Sequence, residues 1–574
     1  MGNEFLESNP HMNQNWYIYP LIPLEVSLEL NKFPPILQQL LYNRGFLTDA
    51  AARDFLKASV SFDTSPFLLK GMDETVGRVM LAYERQEKVA IYGDYDVDGV
   101  TSTTLLVQTF KAIGIDVREY IPNRFEEGYG LNNEALSYLK DEGIGLVVSV
   151  DCGIRSIKEA DHAREIGLDL IITDHHEPGE VIPNGFAVIN PKQPGDEYPE
   201  KYLAGVGIAY KLACALIEAV YKLNGRVVVD TADLLDLVAM GTVADVAPLT
   251  GENRLLVRRG LRKLRATKRQ GIAALAAVAD VKLQRANAMS IGFSLAPRLN
   301  ASGRLESALL SFQLLSTDDI SLAGELAQRL NVQNYERQKI TREIQERAKE
   351  IAVSENPGLQ FLFAVAPDFN HGIVGLAASK LCESYYRPAI VGAIDEADGT
   401  TRCSCRSIPE YHMSNALDRI SHLFVKYGGH AAAAGFTIKN ENLAEFKERM
   451  TQDIVEKIPT DLKPTLKADM VVKLSDLTFE TMEHLEYLQP TGQENPDAVF
   501  VSENVEIRSK RTVGGDKHLK LTLTDGKGTI DAIGFNFGHL LPSLPKLIDV
   551  MFSLDLNEFN GQTTLQLRLK DIKF

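Results

Sequence analysis

Between Lys88 and Asn190 the chain alternates short apolar runs with longer amphipathic segments. KVAIY (Lys88 to Tyr92) predicts a strand, and TSTTLLVQTFKAIG (Thr101 to Gly114) a helix closed by glycine. VREYI (Val117 to Ile121) predicts a second strand and NEALSYLKDEG a second helix. GLVVSV then ends at Val150, a helix follows, LDLIIT ends at Thr173, and FAVIN comes next. Strands separated by helical segments of this length predict βαβ units, and so a parallel sheet covered on both faces. Residues before about Leu69 read as short helices with Pro-containing turns.

From Thr317 to Ser354 the chain lacks Pro and is dense in Glu, Arg and Gln, which predicts one long exposed helix, or two joined at Asn331. A second α/β lobe follows, with strands FLFAVA, AIVGAI and TTRCSCRSI and a helix GIVGLAASKLCESY; IPTDLKP marks a linker after it. The alternating segments VEIRSKRTV, HLKLTLTD, TIDAIGFNF and TTLQLRLKDI, with a helix-like GFNFGHLLPSLPKL, fit a small β-barrel of the OB type. The expected architecture is α/β, with two lobes joined by a long helix and followed by the barrel. Expected boundaries are an N-terminal helical extension over 1–70, a catalytic lobe over 71–315, and the connecting helix over 316–355. The second lobe spans 356–458 and the barrel 466–574.

With 574 residues, 45% of them hydrophobic and 24% charged, the composition suits several globular cores. The first residues hold no apolar run of signal-peptide length, and Leu6 breaks the myristoylation pattern. Other apolar stretches are short and interrupted, so a cytoplasmic protein with no membrane span is expected. Five cysteines without CxxC spacing argue against a disulfide framework or a zinc site. Cys403 and Cys405 read as a strand fragment with both thiols on one face. A net charge of −16 argues against wholesale coating of nucleic acid but not against a confined basic channel.

The candidate chemistry lies at the strand ends. Asp94-Tyr-Asp96-Val-Asp98-Gly follows the first strand directly. A calcium EF-hand would need a preceding helix and a Glu at its twelfth position, which here is Leu105. That leaves an acidic N-cap or a metal loop. Strand GLVVSV runs into Asp151, strand LDLIIT into Asp174-His175-His176, and helix LLDLVAMGTVA into Asp245. Ligands of a doubly wound sheet bind beyond the carboxyl ends of its strands, so these groups converge on one rim. Packed carboxylates repel unless cations or protons intervene. Carboxylates with imidazole and no thiolate favour Mn²⁺ or Mg²⁺, and the donors suffice for two ions sharing a carboxylate. Ions about 3.5–4 Å apart can clamp the attacking and leaving oxygens of a phosphoryl displacement, making phosphate-ester hydrolysis the expected reaction. Arg124, Arg304 and Arg406 read as loop cations for a phosphate or as surface ion pairs, with small residues beside Arg304 for a phosphate's close approach. His430 in YGGHAAAAGF reads as a satisfied core residue or a site residue, and His371-Gly372 as an anion site or a plain start of a helix.

GDYDVDG, VDCG, TDHH and GTVADVAPL together resemble the DHH phosphoesterase superfamily. With IPNRFEEGYG, LNASGR, HGIVG, SCRS and GGHAAAAGF added, the chain resembles the bacterial RecJ family over almost its whole length. The resemblance implies a 5′→3′ exonuclease on single-stranded DNA that uses Mn²⁺ or Mg²⁺, releases 5′ mononucleotides, and serves recombination and repair. It implies metal ligation by Asp94, Asp96, Asp98, Asp151, His175 and Asp245, with Asp174 and His176 orienting ligands or meeting substrate. Some superfamily relatives carry a metal-binding His where this chain has Tyr92, so the metal count stays open. Phosphate binding falls on Arg124, Arg304, Ser404 and Arg406, with His430 nearby. DNA contacts in the barrel fall on Arg508, Lys510, Arg511, Lys517 and Lys520, with Phe535 and Phe537 as stacking residues or barrel core. Implied partners are single-stranded DNA, single-strand-binding protein and a helicase; a monomer away from membranes is expected. Two rivals remain: a phosphodiesterase of the superfamily acting on short oligoribonucleotides or cyclic dinucleotides, and a non-catalytic replication scaffold.

Overall fold

A computed structural model of the chain describes residues 14–58, 64–124, 127–355, 360–559 and 561–574. Leu6, and Phe125 and Glu126 of the IPNRFEEGYG loop, lie outside the described residues. Contacts divide the chain into two units, one made of Ala50–Glu336 with Leu488–Pro496, the other of the remainder.

The first unit is built on strands β1 (Lys88–Gly93), β2 (Val117–Tyr120), β3 (Ile144–Val150), β4 (Asp169–Thr173) and β5 (Ala187–Ile189). They lie in the order β2-β1-β3-β4-β5 and every pairing is parallel. Alternation along each strand feeds two cores. Val89, Ile91, Leu146 and Val148 face one layer, while Ala90, Tyr92, Val147 and Leu170 face the other. A sheet buried on both faces explains why its strands read as continuous apolar runs. The order reverses between β1 and β3, and the crevice beyond their carboxyl ends is where such sheets bind ligands.

Helix Val97–Ile113 begins four residues earlier than its apolar periodicity suggested. Asp96 is its N-cap, Oδ1 accepting from the N–H groups of Asp98 (2.9 Å) and Gly99 (3.1 Å). The second half of the acidic string is therefore the first helical turn, not loop. Arg304 likewise lies in helix Ala296–Leu305 rather than in a loop. Its small neighbours serve packing: a Cβ on Gly303 would stand 2.7 Å from the carbonyl oxygen of Tyr95. Segment Leu488–Pro496 packs with this unit, Arg254 donating to the carbonyls of Leu488 (2.8 Å) and Pro490 (3.1 Å) and Leu249 N–H to that of Gln493 (2.8 Å).

Helix Ile320–Glu355 is continuous and carries the chain from one unit into the other. In the second unit, β6 (Leu362–Ala366), β7 (Ala389–Asp395), β8 (Thr400–Arg406), β9 (Phe424–Gly429) and β10 (Ala433–Lys439) form a mixed sheet in the order β9-β10-β8-β7-β6. Five strands, Phe500–Val513, His518–Thr524, Thr529–Gly534, Leu547–Phe559 and Gln562–Lys573, close into a barrel because the first also pairs with the fourth. The fourth, LIDVMFSLDLNEF, is the strand absent from the pattern-based reading, and the helix-like interruption is one 3₁₀ turn at Gly538–Leu540. The N-terminal extension is not wholly helical: Asn15–Ile18 is a strand pairing in parallel with Thr465–Ala468. Trp16 Nε1 anchors it by donating to Asp571 Oδ2 at 2.7 Å.

Candidate metal centre

Each strand end delivers its side chain by a backbone device. Asp94 follows β1, and a Cβ on Gly99 would meet the Asp94 carbonyl oxygen at 2.5 Å, so only glycine lets the helix start this close. Asp151 ends β3 in the left-handed region (φ 61°), with its N–H still donating to the Thr173 carbonyl across the ladder at 3.0 Å. Val246, just after Asp245, holds φ 60°, a strained value for a β-branched residue and one that tends to persist at functional sites.

Asp98 is almost fully buried. Gly205 N–H donates to its Oδ2 (2.7 Å) and Val206 N–H to its Oδ1 (2.8 Å). These donors open helix Gly205–Asn224, whose N-cap is Ala204 and offers no side-chain acceptor. Asp98 thus caps a helix from another element and keeps spare lone pairs. Sequence reading missed Gly205. The signal was LAGVG opening an apolar helix without a capping residue, which requires an acceptor from elsewhere.

The ligand atoms gather in three overlapping groups, each within 4.8 Å: Asp94 with Asp96 and Asp151; Asp151 with His175 and His176; Asp98 with His175 and Asp245. Asp151 and His175 are each shared by two groups, as a site for adjacent ions requires. Asp94 Oδ1, Asp151 Oδ1 and His175 Nε2 are buried without a well-formed hydrogen bond, the last two lying 3.0 Å apart. Such orphaned atoms are costly unless something else satisfies them. Burial, then neighbouring carboxylates, pushes Asp94, Asp98 and Asp151 well above the usual range, and Asp245 up to about 7. Burial, then His176, lowers His175 to about 3, leaving a neutral imidazole at neutral pH. Orphaned oxygens, like-charge crowding and a neutral His fit a divalent cation.

Asp174 has a different job. Oδ1 accepts from the N–H groups of His175 (2.7 Å) and His176 (3.1 Å) and lies 2.8 Å from His176 Nδ1; Oδ2 accepts from Ile154 N–H (2.9 Å). Although burial opposes both charges, this pairing outweighs it, lowering Asp174 and raising His176 to about 9. Asp174 is a positioning residue. His176 is partly exposed, with Nδ1 held against Asp174.

Arg124 lies 4.7 Å from the Tyr95 ring centre, and Asn300 in the helix bearing Arg304 accepts from Val97 N–H (3.2 Å). In the other unit, Ser404 and Arg406 share one face of β8 while Cys403 and Cys405 are buried on the opposite one. A Cβ on Gly375 would stand 3.2 Å from Arg406 Nη2 and 3.3 Å from Ser404 Oγ, placing both at the start of helix Val374–Tyr385. His430 is exposed, which removes the core reading. In the barrel, Arg508, Lys510, Arg511 and Lys517 are exposed. Lys510 donates to the carbonyls of Leu541 (3.2 Å) and Leu544 (2.9 Å), and Lys520 pairs with Asp531 (3.1 Å). Phe537 is core, whereas Phe535 is exposed with the Arg568 guanidinium 5.4 Å from its ring centre.

Residues 88–242 match the DHH family, N-terminal domain, residues 358–456 the DHHA1 domain, and residues 468–571 the RecJ OB domain. The single-stranded-DNA-specific exonuclease RecJ of Bacillus subtilis (strain 168) is 39% identical over 542 residues, 94% of this chain and 68% of that protein. The chain belongs to the RecJ family. Among solved structures, RecJ from Thermus thermophilus in complex with Mn²⁺ matches with TM-score 0.83 at 29% identity, covering 98% of this chain and 79% of that one. The same organism's RecJ in complex with Mg²⁺ matches with TM-score 0.77 at 27% identity, covering 98% and 78%. Both ions accept carboxylate and imidazole ligands, the donors present in this RecJ-family site. Tyr92 supplies no ligand here: its hydroxyl donates to the Gly130 carbonyl (3.0 Å) and accepts from Asn132 Nδ2 (3.1 Å), on the face of β1 opposite Ile91.

The close packing around Asp98 leaves no room for a side chain at Gly205. A Cβ there would lie 2.9 Å from Asp151 Cβ and 3.0 Å from Asp98 Oδ2. Gly205→Ala is expected to keep the fold and weaken Mn²⁺ binding by about 10–100-fold, the scale of a displaced ligand support. Calorimetric titration of the metal-free protein reads this directly.

Proposed function

We propose that this chain digests single-stranded DNA from its 5′ end, hydrolysing the first internucleotide phosphodiester and releasing 5′ mononucleotides in recombination and repair. The observation that carries the reading is the cluster of Asp94, Asp96, Asp98, Asp151, His175 and Asp245, with His176 beside Asp151 and His175, at the switch point of a RecJ-family sheet. These residues would hold divalent cations, which would supply Lewis acidity for hydrolysis of the phosphodiester. Asp98, held by two backbone N–H groups, and Asp151, fixed in a left-handed turn, set the position of the ligand oxygens. His176, charged at neutral pH and pinned by Asp174, presents its outer nitrogen to the reacting phosphate, where it neutralises charge or donates a proton to the departing 3′ oxygen.

Arg124, Arg304, Ser404, Arg406 and His430 bind substrate phosphates, and Arg508, Lys510, Arg511, Lys517 and Lys520 track the strand on the barrel with Phe535 stacking. The same reading makes the chain a cytoplasmic monomer working with single-strand-binding protein and a helicase. No helix among the described residues is long and apolar enough to cross a membrane. The test is degradation of single strands labelled at either end. With Mn²⁺, 5′ label is released first and as mononucleotide, and matched duplex is spared. Release of 3′ label first, or equal attack on duplex, contradicts the reading.

A further inference from the structure

Beside the metal centre, in the same unit, is a pocket of about 340 Å³ lined by Glu177, Lys192, Asp196, Lys201 and Tyr202 among others, with Lys201 paired to Asp196 at 2.8 Å. That volume is within the range of small-molecule sites. The pocket is tied to the DHH motif through one buried residue. Asn190 is fully buried; its Nδ2 donates to the His176 carbonyl (2.9 Å) and its Oδ1 accepts from Lys192 N–H (2.8 Å). One side chain therefore fixes the base of Lys192 against the backbone of His176. The Lys192 ammonium lies 3.0 Å from Glu177 Oε1 and 5.5 Å from the Tyr202 ring centre. Lys192 is mostly buried but Glu177 is more than half exposed, so the pair opens to solvent on the Glu177 side, from which a phosphate can compete for the ammonium. Tyr202 is also more than half exposed and offers a ring to a base or sugar.

We propose that this pocket is a nucleotide subsite for the strand that remains after each cut, with Lys192 holding the phosphate between the second and third nucleotides and Tyr202 packing on the second. The proposal rests on the reading of the chain as a single-strand exonuclease. Lys192 supplies a cation for the phosphate on the 3′ side of the scissile one, within the unit that carries the metal centre. Glu177 parks the lysine between turnovers, and Asn190 keeps it from drifting away from His176.

The experiment pairs a lysine substitution with a single neutral linkage. A 5′-phosphorylated hexanucleotide is compared with one whose second internucleotide phosphate is a methylphosphonate, using wild type, Lys192→Ala and Lys192→Arg. For wild type the neutral linkage is expected to lower kcat/KM about tenfold, mostly through KM, as loss of one charge-assisted contact would. Lys192→Ala is expected to lose the same tenfold on the natural hexanucleotide and then be indifferent to the methylphosphonate. Its salt dependence should be shallower by about 0.7 in log–log slope, one phosphate contact fewer. Lys192→Arg should restore sensitivity to the linkage, and the shift in unfolding temperature produced by Mn²⁺ should be unchanged in all three. If Lys192→Ala loses as much as wild type from the neutral linkage, or loses nothing on the natural strand, the subsite is overturned. A wild-type protein that leaves the natural hexanucleotide intact would overturn the exonuclease reading instead.

Discussion

Asp151→Asn is expected to lower kcat on single-stranded DNA by at least about 10³-fold, the scale of losing one electrostatic contact worth several kcal/mol at the transition state. The same variant, stripped of metal, should unfold at an equal or higher temperature than wild type. Opposite signs arise from one cause. Asp151 is buried among Asp94, Asp96, Asp98 and Asp245, and its Oδ1 has only the 3.0 Å contact to His175 Nε2 beside it, with no well-formed hydrogen bond. Without a cation this carboxylate is a source of repulsion, which the neutral amide removes. Asp151 belongs to two of the groups that would hold a cation, and an amide oxygen would be a poor substitute there. Asparagine also tolerates the left-handed conformation held at this position, so the backbone gives no separate reason for instability. A variant that lost activity by misfolding would lose both quantities, and paired kinetics and thermal unfolding in chelator separate the two cases.

Metal removal carries the second large effect, and its pH dependence has a definite sign. Asp94, Asp98, Asp151 and Asp245 have folded-state values above the ordinary carboxylate value of about 3.9. Such groups favour the folded state fully below about 3.9, and that contribution is lost as pH rises through the folded value, about 7 for Asp245. His176, raised to about 9, acts in the same direction above its ordinary value of about 6.5. His175, lowered to about 3, opposes them only below about 6.5, so the carboxylates dominate. The metal-free protein should therefore unfold at a lower temperature at pH 8 than at pH 6. Mn²⁺ at 100 times its Kd stabilises by about 2.7 kcal/mol, a rise of about 5–10 °C for a unit of this size. The rise should be larger at pH 8, where fewer protons compete for the ligands. An equal shift at both values, or a metal-free protein more stable at pH 8, contradicts the electrostatic account.

Much of the site was legible because period-two apolar runs locate strand ends, and strand ends locate ligands. Asp94, Asp151 and His175 could be placed on one rim from KVAIY, GLVVSV and LDLIIT alone. What stayed hidden depended on contacts between distant segments. The acidic string looked like either a cap or a metal loop, and it is suited to both: Asp96 spends Oδ1 on the helix and a carboxylate has a second oxygen to offer. Arg304 looked like a loop residue because LNASGR is rich in small residues, but those residues let a helix pack against Tyr95. Gly205 and Asn190 carry no charge and fit no motif, so their roles in holding Asp98 and Lys192 emerge only from hydrogen bonds spanning the fold. The strand Leu547–Phe559 was lost because two prolines and a turn before it masked where alternation resumes.

Asp94, Asp96, Asp98, Asp151, His175 and Asp245 must hold metal together for this chemistry to work. Anomalous difference density from a crystal grown with Mn²⁺ tests this most directly. Two adjacent peaks are predicted, one bounded by Asp98, His175 and Asp245 and one by Asp94 and Asp96, with Asp151 reaching both. Manganese bound elsewhere on the molecule, with these carboxylates unliganded, would contradict it.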